Sequence, residues 1–266
     1  MEEAMLVVAN GIKINYEISG KKDGPVVVLS HSLASSLKMW EPQMEILRPH
    51  FQVLRYDTRG HGLTETTPAP YTLEHLGEDA IGLLNDLNIE KVHWVGLSMG
   101  GMIGQAIALN HPHRLLSLSL CDTSAKIPEE AQPIWDERIE GVRKIGMASQ
   151  LETTMERWFT PSYLNLNPPM LTLIKEEFLA TPPEGYIGCA SAIRRLNYLD
   201  RLVEIRLPTL IIVGEDDPAT PLSASEAIHK QIKESKLMVL PATRHLSNVE
   251  QSEAFNHHLY EFLKSV

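Results

Sequence analysis

Residues 92–101 read VHWVGLSMGG. An apolar run fit for a buried strand ends at Gly96, and Ser98 stands two positions on. Two more glycines then lead into MIGQAIALNH (102–111), which has helical periodicity. A chain turning that sharply from strand to helix forces the residue at the apex into an unfavourable backbone conformation, and side chains two positions either side would collide. Glycine at 96 and 100 removes those Cβ atoms. The stretch fits G-x-S-x-G in the strand–turn–helix setting that the motif requires, and it predicts a Ser98 hydroxyl projecting at a strand end, near a helix N-terminus.

The flanking sequence supplies a sheet for that strand. MLVVA and IKINYEI surround Asn10-Gly11, a pair suited to the positive φ angles of a hairpin turn. PVVVLS (25–30), QVLRYD (52–57), KVHWVG (91–96), LLSLSLCD (115–122), PTLIIVG (208–214) and KLMVLP (236–241) have the apolar character of strands buried on both faces. Helical stretches at 73–89, 102–111 and 248–266 alternate with them. The expected architecture is a doubly wound α/β fold whose mostly parallel sheet has eight strands flanked by helices. Alternation stops between about Ser124 and Tyr186, where AQPIWDERIEGVRKI, QLETTMERWF and PPMLTLIKEEFLAT read as helices separated by prolines. The chain therefore divides into a core, 1–123 and 187–266, and a helical insert at 124–186 expected to roof the crevice where such sheets bind ligands.

A serine is a weak nucleophile until a base, itself held by an acid, takes its proton. On this architecture the order is serine, acid, histidine. Of the histidines, His245 alone follows the last strand in a short loop, PATRH, and is the expected base. The acid should follow the preceding strand in GEDDPATP. Asp217 is the choice, with Asp216 and, one strand earlier, Asp122 as alternatives. Backbone N–H groups of Met99 and of Leu33, in the loop HSLASS, are the expected oxyanion donors. His31 is a candidate pocket residue or a brace for its own loop. Trp135, Trp158 and Phe159 in the insert are candidate pocket walls.

Bulk properties narrow the partners. A formal net charge of −10 argues against nucleic acid. The acidic opening MEEAMLVVANG, with its short apolar run, predicts neither a signal peptide nor a membrane anchor. Two widely spaced cysteines, Cys121 and Cys189, offer no disulfide framework or zinc site and fit a reducing compartment, so a cytoplasmic protein is expected.

These residues resemble the α/β-hydrolase superfamily. VVLSHSLASSLKMW, VLRYDTRGHG, VGLSMGGMIGQ, LCDTSAKI, ERWFTP, TPPEGYIGCASAIR, GEDDPATP and RHLSNVEQ together resemble its 3-oxoadipate enol-lactonase and carboxylesterase branch across nearly the whole chain. The resemblance implies that Ser98, Asp217 and His245 act as nucleophile, acid and base, that the insert is a cap, and that neither cofactor nor metal is needed. It implies hydrolysis of a small carboxylic ester or lactone through an acyl-enzyme. General carboxylesterase, acyl-homoserine lactonase, carbon–carbon bond hydrolase and hydrolase-fold receptor are the alternatives. Relatives usually carry Asn-Ser-Leu-Gly where this chain has His31-Ser32-Leu33-Ala34.

Overall fold

The computed structural model describes residues 5–266; the first four residues of the acidic opening lie outside the described residues. Eight strands form one sheet: β1 (Met5–Ala9), β2 (Ile12–Gly20), β3 (Val26–Ser30), β4 (Gln52–Tyr56), β5 (Val92–Leu97), β6 (Leu115–Cys121), β7 (Thr209–Gly214) and β8 (Ser235–Leu240). Their spatial order is β1-β2-β4-β3-β5-β6-β7-β8. The first two pairings, β1 with β2 and β2 with β4, are antiparallel, and the others are parallel. Asn10 and Gly11 turn the opening hairpin with φ of 47° and 79°. Every residue of β5 and β7 is buried, as their continuous apolar runs require.

Among the described residues, eleven α-helices accompany the sheet. α1 (Glu41–Leu47), α2 (Leu73–Asp86) and α3 (Met99–Asn110) precede β6. α4 (Gln132–Ile145), α5 (Leu151–Trp158), α6 (Pro161–Leu166), α7 (Pro169–Ala180) and α8 (Pro183–Arg194) lie between β6 and β7. α9 (Leu222–Gln231) follows β7, and α10 (Ser247–Glu250) and α11 (Ser252–Ser265) follow β8. Proline in the first turn of α4, α6, α7 and α8 presets φ where the missing N–H has no intrahelical use. Two boundaries differ from the sequence reading. α8 runs unbroken through residue 186 to Arg194, because Tyr186, Ile187, Cys189, Ala190 and Ile193 bury a continuous face. The C-terminal run is divided at Gln251, whose φ of −124° and ψ of 51° are not helical. No helix among the described residues is long and apolar enough to cross a membrane.

Candidate active site

Ser98 joins β5 to α3 with φ 56° and ψ −115°, a conformation that L residues rarely adopt. Such strain costs on the order of 1–3 kcal/mol and persists only where the surroundings enforce it. Here the Ser98 N–H donates to the Cys121 carbonyl at 2.8 Å, and its carbonyl accepts from the Thr123 hydroxyl at 2.7 Å. A Cβ on Gly96 would lie 2.1 Å from the Gly100 carbonyl oxygen, and one on Gly100 would lie 2.0 Å from that of Ser30. Both approaches are far inside contact distance, so the turn requires glycine at each position.

Three loops at the C-terminal edge of the sheet meet at this hydroxyl. Ser98 Oγ lies 2.9 Å from His245 Nε2, and His245 Nδ1 lies 2.8 Å from Asp217 Oδ2. The carboxylate fixes the tautomer: Nδ1–H donates to Asp217, leaving Nε2 to accept the serine proton. Asp217 is held in turn by the N–H groups of Ala219 and Thr220 and by the Thr220 hydroxyl, at 2.7, 3.1 and 2.6 Å. Burial pushes its carboxyl up, but the His245 imidazole and these hydrogen bonds outweigh burial and leave it below the usual carboxylate range. Asp216 is exposed. Asp122 accepts the Gly214 N–H at 2.8 Å and the Ser247 hydroxyl instead of the histidine. Burial and the neighbouring Asp217 charge raise its carboxyl well above the usual range.

Leu33 lines the cavity in front of Ser98, and Met99 opens α3 beside it. Neither backbone N–H donates a hydrogen bond among the described residues. His31, expected as a possible pocket residue, does not line the cavity. It is fully buried, its Nδ1 donates to the Ser32 carbonyl, and its Nε2 accepts the Thr58 N–H. It braces the loop from below. His61, which the sequence reading passed over, does the same: its Nε2 accepts the Ala34 N–H at 2.9 Å and its Nδ1 donates to the Arg59 carbonyl. Burial and the adjacent His31 bring His61 down to about 3, so it accepts that bond as a neutral ring.

The cavity is closed over by α4, α5, α7 and α8. Trp135 and Trp158 line it as expected, with Phe178 and Tyr186 beside them. Phe159 does not: it is fully buried and stacks on Tyr163 with ring centroids 4.9 Å apart. Two arginines in the wall had no sequence signal. Arg138 and Arg157 belong to amphipathic helices and read as solvated charges, yet both face the cavity, and neither meets a carboxylate among the described residues. Arg138 lies 4.8 Å over the Trp135 ring, and Arg157 donates to the Thr154 hydroxyl at 2.9 Å. Burial, reinforced by repulsion from Arg138, lowers Arg157 to about 10, so it remains cationic at neutral pH. The desolvation of these cations is offset by an aromatic face and a hydroxyl but by no carboxylate among the described residues. Among the described residues no three His, Cys, Asp or Glu side chains cluster to hold a metal ion.

Residues 25–252 match the family described as alpha/beta hydrolase fold. The chain is 36% identical to 3-oxoadipate enol-lactonase 2 of Acinetobacter baylyi, over 96% of this chain and 95% of that one. It superposes on the crystal structure of the enol-lactonase from Burkholderia xenovorans with a TM-score of 0.95 at 35% identity, covering 98% and 100% of the two chains. A thermophilic esterase from Thermogutta terrifontis with malate bound gives 0.92 at 31% identity, covering 99% and 98%. With its sheet order, its strained serine turn and a match over most of its length, the chain belongs to the α/β-hydrolase fold family.

Proposed function

We propose that the protein is a serine hydrolase that opens a small carboxylic ester or lactone, and that the substrate carries a carboxylate. The observation carrying the first half is the unbroken relay from Ser98 through His245 to Asp217, with the Leu33 and Met99 N–H groups donating to no acceptor among the described residues. His245 takes the Ser98 proton as Oγ attacks the carbonyl carbon, and Asp217 stabilises the imidazolium that results. The N–H groups of Leu33 and Met99 receive the oxyanion, each worth about 3–4 kcal/mol in the transition state. The tetrahedral intermediate collapses to the acyl-enzyme as His245 returns the proton to the leaving alkoxide. In a lactone that alkoxide stays tethered to the acyl group. His245 then deprotonates a water, and hydroxide attack releases the acid and regenerates Ser98.

Arg138 and Arg157 carry the second half. A carboxylate at the far end of the substrate supplies the counter-charge that the cavity wall lacks, which agrees with an enol-lactone of a dicarboxylic acid. The helical insert acts as the cap that excludes water from the acyl-enzyme. A general carboxylesterase is the second reading, supported by the similarity to the thermophilic esterase. Two free, buried cysteines suit a cytoplasmic setting.

The test is kcat/KM on 3-oxoadipate enol-lactone, an acyl-homoserine lactone and a neutral p-nitrophenyl ester, with Ser98→Ala as the blank. The enol-lactone should reach about 10⁵ M⁻¹s⁻¹ or more, an ordinary figure for a real substrate. Preference for the neutral ester would remove the carboxylate from the proposal. Undiminished hydrolysis by Ser98→Ala would remove the mechanism.

A further inference from the structure

The cavity at Ser98 lies beneath the cap, so a substrate needs a way in. A second hollow, an open groove between α4 and the segment 218–224, borders it directly. Ile127, Trp135, Arg138 and Ala219 line both spaces. Two other hollows on the molecule, one beside Asp57 and one beside Tyr198, share no lining residue with the cavity. The groove and the cavity thus share one wall. Its largest part is Trp135, half-buried, with the Arg138 guanidinium stacked over the ring. Opposite stands Ala219, which is exposed and contributes only a methyl group.

Charge separates this groove from the rest of the surface. The protein carries a formal net charge of −10, yet among the described residues the only charged side chains lining the groove are Lys126 and Arg138. Lys126 is exposed and pairs with no carboxylate among the described residues, and Glu129 and Glu130 on the adjoining turn stay outside the wall. A cleft of one sign in a molecule of the other concentrates oppositely charged ligands at its mouth.

We propose that substrate reaches Ser98 and product leaves through this groove. The Trp135–Arg138 pair is the side-chain partition that swings aside, and Lys126 with Arg138 makes the route favour anionic esters and lactones. The inference rests on the serine-hydrolase reading and adds a path and a selectivity to it.

Ser223 and Ala224 line the groove but not the cavity, so Ala224→Trp and Ser223→Trp each narrow the groove from its outer wall. The rate at which a small and a bulky alkyl fluorophosphonate label Ser98 is measured for both variants and the wild type. The bulky probe should slow by about tenfold or more in each variant, and the small probe by much less. Wild-type rates for the bulky probe in both variants would overturn the route. Lys126→Glu should lower the ratio of kcat/KM for a p-nitrophenyl hemisuccinate over p-nitrophenyl butyrate by several-fold, and added salt should lower the wild-type ratio likewise. An unchanged ratio would overturn the anion selectivity. A wild type that neither probe labels would overturn the hydrolase reading and the route with it, whereas a labelled wild type with unaffected variants overturns the route alone.

Discussion

Asp122 and Asp217 follow neighbouring strands, yet their surroundings push them in opposite directions. Asp217 is held below the ordinary carboxylate range by the imidazole and its hydrogen bonds, and Asp122 is raised well above it, first by burial. Only the first is placed to stabilise a charged His245. Asp217→Asn should therefore lower kcat by about 10⁴ through the wrong histidine tautomer. Asp122→Asn changes a side chain that faces Gly214 and Ser247 rather than the histidine, and kcat should stay within about tenfold of wild type. Steady-state assays of the two variants decide it, and equal losses would mean that the acids share the role. The wall arginines give a second contrast. A charge-assisted hydrogen bond contributes about 1.5–3 kcal/mol, so Arg157→Met should raise KM for an anionic lactone by about 10- to 100-fold while a neutral ester is affected far less. Parallel losses on both substrates would show that the arginine only supports the wall.

At the scale of elements, the His245 loop and the helical insert are stitched together. Glu250, at the end of α10, accepts the backbone N–H groups of Arg244 and Thr160 through its two oxygens, each at 2.9 Å, and the Thr160 hydroxyl as well. The Leu246 N–H donates to the carbonyl of Trp158, a cavity-wall residue, at 3.1 Å. Glu250→Ala leaves those donors without their acceptor and should destabilise the protein by about 2–3 kcal/mol. It should lower kcat as well, since His245 sits between two of the tethered positions. Thermal melting with parallel kinetics checks both, and full activity at the normal Tm would sever the coupling. β3, β5 and β7 could be read from the sequence because burial on both faces leaves them almost wholly apolar, whereas β8, expected to be buried likewise, is an edge strand in which only Leu240 is buried. The hydrogen-bonded arrangement of Ser98, His245 and Asp217 could be read because each stands in the loop that follows a strand. The cap was harder: α6 is too short to show a period, and α8 continues past the apparent return to the core. Arg138 and Arg157 look like any charges on an amphipathic helix until the cap is folded over the sheet. His61 was hidden for a similar reason, since its partner at Ala34 lies 27 residues away in sequence.

Across the whole molecule, the buried histidines set a response to acid. The sign follows from His61, whose folded value of about 3 lies below its ordinary 6.5. Between those limits the unfolded chain holds a proton that the folded chain does not. Stability from this group is full above about pH 6.5 and is lost as pH falls toward 3, at about 1.4 kcal/mol per pH unit. Asp122, shifted upward, opposes the trend from its ordinary 3.8 upward, because its folded form retains the proton. Comparing wild type with His61→Gln isolates the histidine: urea unfolding at pH 7 and pH 5 should show a shallower loss in the variant, whose amide oxygen can still accept the Ala34 N–H. Identical losses would place the acid sensitivity elsewhere.

The relay joins positions 147 residues apart in the chain, Ser98 and His245, across four adjacent strands. During synthesis, Ser98 emerges from the ribosome long before His245 exists. On the mechanism proposed above, a nascent chain that has already made the loop at Leu33 and the serine turn is therefore chemically inert toward the esters around it. Reactivity switches on only when β8 docks at the sheet edge and delivers the last loop, which makes the return of turnover in a refolding experiment a late clock for completion of the sheet.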